Sequence, residues 1–181
     1  MTSDPPADPS ARTLDAEAIY AALKAAVAAR LRAPGGGGLA IVGVHSGGAW
    51  IAQRLHAELC PHAPLGFLSS AFHRDDYAER GLRAAGGAGT TRIDFSVDGA
   101  DVLLVDDILY TGRTVRAALN ELFDYGRPAR VELAVLLDRG GRELPVQADH
   151  FGARIPLGPE RGFVLARADD GGFTLAVEPA R

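Results

Sequence analysis

Cysteine, lysine and long apolar runs are what this sequence has least of. Its 181 residues hold one cysteine, Cys60, which excludes an intramolecular disulfide and suits a reducing compartment, so a cytoplasmic location is expected. No stretch approaches the roughly 18 consecutive apolar residues of a membrane-spanning helix, and no membrane association is expected. The opening Met-Thr-Ser-Asp-Pro-Pro-Ala-Asp-Pro-Ser has neither a basic segment nor an apolar one, and does not read as a secretory signal. Of 19 basic residues only Lys24 is lysine, and no Gly-x4-Gly-Lys-Ser/Thr occurs, which excludes a P-loop. A formal net charge of −4 argues against bulk attraction to nucleic acid but leaves room for a local basic face.

What is present is an ordinary globular balance, 47% hydrophobic and 23% charged, enough for one packed domain. Residues 1–12 are proline-rich and are expected to be a disordered tail, with one domain over 13–181. From Thr13 to Arg32 the apolar residues Ile19, Leu23, Val27 and Leu31 recur every four positions, predicting a helix with Asp15 as N-cap and Arg30 and Arg32 at its C-terminal end. Pro34 and the glycines that follow end it.

Leu39–Val44 reads as a strand that runs through His45-Ser46-Gly47-Gly48 into a helix from Ala49 to Leu59. Strands are expected over Leu65–Phe72 and Arg92–Val97, with a mobile loop over His73–Thr91 between them. Val102–Val105 is a further buried strand, followed by a helix over Val115–Tyr125 that Gly126-Arg127-Pro128 stops. Val131–Leu137 is the next strand, then the charged loop Asp138–Glu143. Phe163–Ala166 and Phe173–Val177 would add late, antiparallel strands. Alternating strands and helices imply an α/β fold, a doubly wound, mostly parallel sheet with flanking helices. Ligands in such sheets bind at the carboxyl ends of the strands, where His45–Gly48, Asp106–Thr114 and Asp138–Arg142 all fall.

The stretch Val102-Leu-Leu-Val-Asp-Asp-Ile-Leu-Tyr-Thr-Gly-Arg-Thr114 carries the chemistry. Two carboxylates, Asp106 and Asp107, follow the strand; a loop of small and hydroxyl residues then opens a helix. Loop amides and a helix N-terminus can hold a phosphate while the acids face a polyol or a metal, so a sugar 5-phosphate is the expected ligand. A response-regulator receiver also pairs acids after a strand, but after its first strand and with a lysine near its end. Capping explains one aspartate, not two placed several residues ahead of the helix.

This segment resembles the phosphoribosyl pyrophosphate (PRPP) signature of type I phosphoribosyltransferases. Within that superfamily the run Val-Asp-Asp-Ile-Leu-Tyr-Thr-Gly-Arg-Thr-Val-Arg-Ala-Ala-Leu-Asn-Glu-Leu resembles the PyrR family, bifunctional pyrimidine-operon regulators and uracil phosphoribosyltransferases. Phe72-His-Arg-Asp-Asp76, Gly126-Arg-Pro128 and Leu137-Asp-Arg-Gly-Gly-Arg-Glu-Leu-Pro145 agree with it.

The resemblance implies that Asp106 and Asp107 hold the ribose 2- and 3-hydroxyls and are the catalytic acids, with Mg²⁺ nearby, bound partly through PRPP and water. It implies that Tyr110, Thr111, Gly112, Arg113 and Thr114 form the 5-phosphate loop, and that His45, Ser46, Gly47 and Gly48 contact pyrophosphate. Arg74, Asp75 and Asp76 would begin a lid, and Asp138, Arg139, Gly140 and Arg142 would lie beside uracil. Substrates and products would be PRPP, uracil, UMP and pyrophosphate, with RNA as a second partner and a homodimer or larger assembly.

Two positions depart from the family pattern. The pyrophosphate loop often reads Lys-Thr-Arg-Gly and here lacks the arginine; the Arg-Gly-His-Arg segment has Gly141 in place of histidine. In the family the Thr-Arg and His-Arg positions, here Ser46-Gly47 and Gly141-Arg142, are also associated with RNA binding, so the resemblance does not carry that role over intact. His56, Cys60 and His62 are irregularly spaced around Pro61 and read as a surface cluster rather than a zinc site.

Overall fold

The computed structural model describes residues 14–33, 38–69 and 89–180. The expected tail at 1–12, the lid residues Arg74, Asp75 and Asp76, and most of the 73–91 loop lie outside the described residues.

The first helix, α1 (Ala16–Arg32), starts where the Asp15 carboxylate accepts the Ala18 amide at 2.9 Å and ends with Arg30 and Arg32 in its last turn. Acid at the start and base at the end both complement the helix dipole. Its buried face is Ala16, Tyr20, Leu23 and Val27. Next come β1 (Leu39–Val44), α2 (Gly47–Leu59), β2 (Leu65–Leu68), β3 (Asp101–Leu109), α3 (Arg113–Asp124), β4 (Arg130–Asp138) and β5 (His150–Arg154). The last pair, β6 (Arg161–Arg167) and β7 (Phe173–Pro179), forms an antiparallel hairpin.

Five strands make one parallel sheet in the order β2-β1-β3-β4-β5. β1 is buried along its whole length, which is why it reads as an unbroken apolar run rather than an alternation. One face of the sheet packs Leu103 and Val105 of β3 against Leu23 and Val27 of α1 and Ile51 and Leu55 of α2, with Leu165, Phe173 and Leu175 of the hairpin closing that layer. The other face packs Val102 and Leu104 against Val115, Ala118 and Leu122 of α3. Gly43 permits the tight crossing of α2, since a Cβ there would lie 2.7 Å from the Ala49 Cα and the Ala52 Cβ. The chain leaves β1 toward β2 on one side and returns as β3 on the other, so the strand order reverses between β1 and β3. That crevice is where such sheets bind ligands. Among the described residues no helix is long and apolar enough to cross a membrane.

Three strand expectations need correction. β3 runs on to Leu109, so Asp106 and Asp107 lie within the strand rather than beyond it. Residues 92–97 form no strand: Arg92 exchanges two 2.8 Å backbone hydrogen bonds with Phe67 and the ladder stops there. Ile93, Phe95 and Val97 instead face the α3-side core from an irregular segment, which produces the alternation without the pairing. β5 was not expected. Its Gly152 is a poor strand former, but a Cβ there would lie 2.7 Å from both the Ile19 Cγ2 and the Leu136 carbonyl oxygen; α1 covers this edge so closely that only glycine fits.

A buried ionic cluster ties the start of β4 to its neighbours. Glu132, 2% exposed, accepts Arg30 Nε at 2.7 Å and lies 2.9 Å from His150 Nε2 and 3.3 Å from Arg130 Nε. Burial pushes its carboxyl up, but His150 and Arg30 outweigh burial and hold it below the ordinary glutamate value of 4.5. The stabilisation is therefore present above that value and is lost as the pH falls through the lowered one. Glu132→Gln is expected to cost about 1–3 kcal/mol at neutral pH and to flatten the acid limb of a pH–stability curve measured by urea denaturation. Equal stability of the two proteins at neutral pH would count against this account.

Candidate active site

Two helix N-termini meet at the crevice, and at neither does the N-cap residue's own side chain cap the helix. Ser46 precedes α2 with its hydroxyl making no capping bond, and Gly112 precedes α3 with no side chain to offer. Neither helix has an acid in its first turn. The first amides of an α-helix have no partner within it, and the dipole makes that end positive, so each terminus favours an anion.

The first terminus is pressed against the acid-bearing strand. A Cβ on Gly48 would lie 2.8 Å from the Asp106 Cα and would run into the Val105 carbonyl oxygen; one on Gly47 would lie 2.7 Å from the Asp107 Cγ. Both must be glycine for α2 to begin here. The His45–Ser46 peptide that leads in is cis. The half-buried His45 ring lies 5.7 Å from that of Phe67, and a Cβ on Gly89 would collide with it. The chain re-entering the described structure at residue 89 therefore passes beside His45.

Placement inside a strand separates the two acids. Consecutive strand residues point to opposite faces, so Asp106 shares the α3-side face of Val102 and Leu104, and Asp107 the α2-side face of Leu103 and Val105. Asp106 is 4% exposed and Asp107 half-buried. The Asp107 carboxylate stands at Gly47, at the mouth of α2. Each acid also accepts the next amide: Asp107 N–H to Asp106 Oδ1 at 3.0 Å and Ile108 N–H to Asp107 Oδ1 at 2.8 Å.

The second terminus turns on Gly112, at φ +92°, whose Cβ position lies 3.3 Å from Leu144 and Val146. Thr111 and Thr114 are half-buried and Arg113 exposed; the Thr111 hydroxyl accepts the Arg113 amide at 3.3 Å. The Arg113 guanidinium is bound to Glu143, at 2.8 Å from both Nε and Nη2.

The 138–142 loop is brought to the same crevice, but its side chains face inward. Asp138, 2% exposed, accepts the Gly140 amide at 3.0 Å through Oδ1, together with Arg142, and Arg154 Nε at 3.2 Å through Oδ2. Burial pushes this carboxyl up; the Gly140 amide and the two arginines outweigh it and hold the group below the usual carboxylate range. Arg139, 6% exposed, stacks over the Tyr110 ring at 3.7 Å, and its Nη2 donates to the carbonyls of Gly158 and Arg161 at 3.0 and 2.9 Å. Among the described residues its buried Nε has no hydrogen-bond partner. Gly141, at φ +68°, also lies against Tyr110, with its Cβ position 3.0 Å from the ring Cδ2.

The crevice therefore gathers His45–Gly48, Asp106, Asp107, Tyr110–Thr114 and Asp138–Arg142. Sequence reasoning did not single out Glu143 as the partner of Arg113, nor Arg154 as that of Asp138; both are long-range pairs with no local signal. His56 Nε2 lies 2.9 Å from the Ala63 carbonyl oxygen, and among the described residues no three His, Cys, Asp or Glu side chains converge as metal ligands. A separate cleft of about 690 Å³ between α1, α2 and the hairpin shares no residue with this site, and its Arg54 is committed to Glu17 and Glu58.

The model of the phosphoribosyl transferase domain family matches residues 10–159. A Bifunctional protein PyrR from Ralstonia nicotianae is 47% identical over 173 residues, spanning 94% of this chain and 98% of its own. The chain belongs to the PyrR family of phosphoribosyltransferases. A second PyrR, from Nitrosococcus oceani, is 47% identical over 138 residues, 75% of this chain and 77% of its own. Among solved structures, a Trypanosoma cruzi hypoxanthine phosphoribosyl transferase aligns with a TM-score of 0.62 at 25% identity, covering 85% of this chain and 83% of that one. A hypoxanthine-guanine phosphoribosyltransferase from Bacillus anthracis, at 21% identity and a TM-score of 0.60 over 80% and 81% of the two chains, shares the fold. The PyrR signature thus occupies the crevice at which the sheet reverses.

Gly112→Val is expected to lower stability by about 1–3 kcal/mol, because a β-branched residue is strained at positive φ. Gly112→Asn, which tolerates that region, should lose less. Urea denaturation reads both, and a valine variant as stable as the parent would refute the strain argument.

Proposed function

We propose that this PyrR-family chain transfers the phosphoribosyl group of PRPP to uracil, giving UMP and pyrophosphate. The observation that carries the reading is the pair of helix N-termini, free of first-turn acids, on either side of an acid-bearing strand. PRPP has an anionic group at each end of a ribose, and the crevice offers a positive terminus for each with carboxylates between. The amides of 111–114 would hold the 5-phosphate and those of 46–48 the pyrophosphate.

Breaking the bond from C1 to the pyrophosphate oxygen leaves positive charge on the ribose as uracil N1 forms the new bond and loses its proton. Asp106 and Asp107, fixed by the strand and by the amides they accept, stabilise that charge and orient the hydroxyls. The Asp107 carboxylate stands at the mouth of α2, beside Asp106. That suits Mg²⁺, which takes one or two carboxylates and completes its shell with substrate oxygens and water. When bound, the ion would offset charge on the leaving pyrophosphate. The Tyr110 ring, steadied by Arg139, gives a flat surface at the base-side loop. Arg74, Asp75 and Asp76 remain the proposed lid, which would keep water from PRPP. Cytoplasmic location and assembly as a homodimer or larger oligomer belong to the same proposal.

The test is pyrophosphate release from PRPP and Mg²⁺ with each free base. Uracil is the expected acceptor, and Asp107→Asn should lower turnover about 100- to 1000-fold. No release with any base would sink the proposal; release with a purine alone would move it to another acceptor.

The relatives are called bifunctional, which favours a second role as a uridine-nucleotide-responsive regulator that binds the leader RNA of the pyrimidine operon. Filter binding to that RNA, with and without UMP, should show retention that UMP strengthens and salt weakens. Absence of retention at low salt would remove this role.

A further inference from the structure

We infer that Arg142, although it sits on the base-side loop, is a positioning residue for the 5-phosphate loop; this rests on the reading of residues 111–114 as that loop. Each nitrogen of its guanidinium is engaged by its own chain. Nη1 donates to the carbonyls of Leu109, Tyr110 and Gly140 at 3.2, 2.7 and 3.1 Å. Nε donates to the Val146 carbonyl at 3.0 Å, and Nη2 binds Asp138. The next two residues continue the contact, because the amides of Glu143 and Leu144 both donate to the Thr111 carbonyl, at 3.0 and 3.1 Å.

Three consecutive carbonyls, those of Leu109, Tyr110 and Thr111, are thus drawn to the base-side loop. A peptide unit presents its carbonyl and its amide in opposite directions. Holding these carbonyls on one side turns the amides that follow them, those of Tyr110, Thr111 and Gly112, to the other. Backbone amides aligned in this way at a helix N-terminus form an anion-binding concavity. The Arg113–Glu143 ion pair and the packing of Leu144 and Val146 against Gly112 join the same two segments at the opening of α3. A guanidinium suits the central place: its fork reaches several oxygens in fixed directions, which an ammonium on a flexible stem does not. The Arg142 side chain is 23% exposed, so it is reachable from solvent while being spent on internal acceptors. Arg142 acts on phosphate through the loop, and not on the base.

The experiment compares the parent with Arg142→Gln, Arg142→Lys and Arg142→Ala. Calorimetry with ribose 5-phosphate, which carries the phosphate and no base, should show at least tenfold weaker binding for Arg142→Gln, with lysine intermediate. In turnover, KM for PRPP should rise tenfold or more while KM for uracil stays within about twofold. Millimolar guanidinium chloride should restore part of the ribose 5-phosphate affinity of Arg142→Ala but not that of the parent. If an alanine or glutamine variant does not fold, Arg142→Lys keeps the charge and supplies the KM comparison. Unchanged ribose 5-phosphate affinity, or a rise confined to KM for uracil, would overturn the inference. A parent that binds ribose 5-phosphate but turns over no base would defeat the transfer reading alone. A parent that does not bind it would remove both.

Discussion

The close approach of Gly47 and Gly48 to the end of β3 is the contact on which the site depends. It lets the N-terminus of α2 come down directly onto Val105, Asp106 and Asp107, with no side chain between helix and strand. Any other residue at these positions would lift the helix, and the positive terminus would move away from the acids. Gly43 works the same way one turn lower, where α2 crosses β1. Three glycines thus let a helix dipole, a carboxylate and a strand end share a space smaller than a side chain. The remaining groups of the crevice are arranged around that junction.

The division of labour between the two faces of β3 follows from the same geometry. Pleating sends one aspartate toward each helix, so a pair that looks redundant in the sequence serves two different surroundings. Charge in the flanking loops is mostly internal. Asp138, Arg139 and Arg142 bind backbone groups or other loop side chains, and Glu143 binds Arg113 across to the opening of α3, which fixes loop geometry. The side chains of these loops thus serve chiefly to keep the backbone still.

Much of this was legible beforehand, for identifiable reasons. β1 was readable because a strand buried on both faces is an uninterrupted apolar run, and α1 because Asp15, the four-residue apolar spacing and the terminal arginines agree. The openings of α2 and α3 at residues 45–48 and 111–114 were readable because glycine and hydroxyl residues cluster where a strand hands over to a helix. What failed to show was decided by packing at a distance. β5 depends on α1 covering Gly152, and the segment at 92–97 alternates like a strand because it lies on a core without extending the ladder. The length of β3 was underestimated because two acids look like the end of a strand, yet their neighbours on β4 carry the pairing on to Asp138. The contact of Arg142 with β3 had no sequence signal, since the Leu109 and Tyr110 carbonyls lie more than thirty residues away.

The glycine at 141 has a consequence for how this family can change. With Tyr110 stacked by the Arg139 guanidinium and lying against the Cβ position of residue 141, a side chain at 141 meets both an unfavourable backbone conformation and an occupied space. A loop with a larger residue here, such as histidine, therefore cannot be reached by one substitution alone. Tyr110 would have to shift or shrink first, and Arg139 would then lose the ring it stacks on. The order of mutations between the two versions of the loop is constrained, and a residue that looks like a free surface choice is coupled historically to the interior of the site.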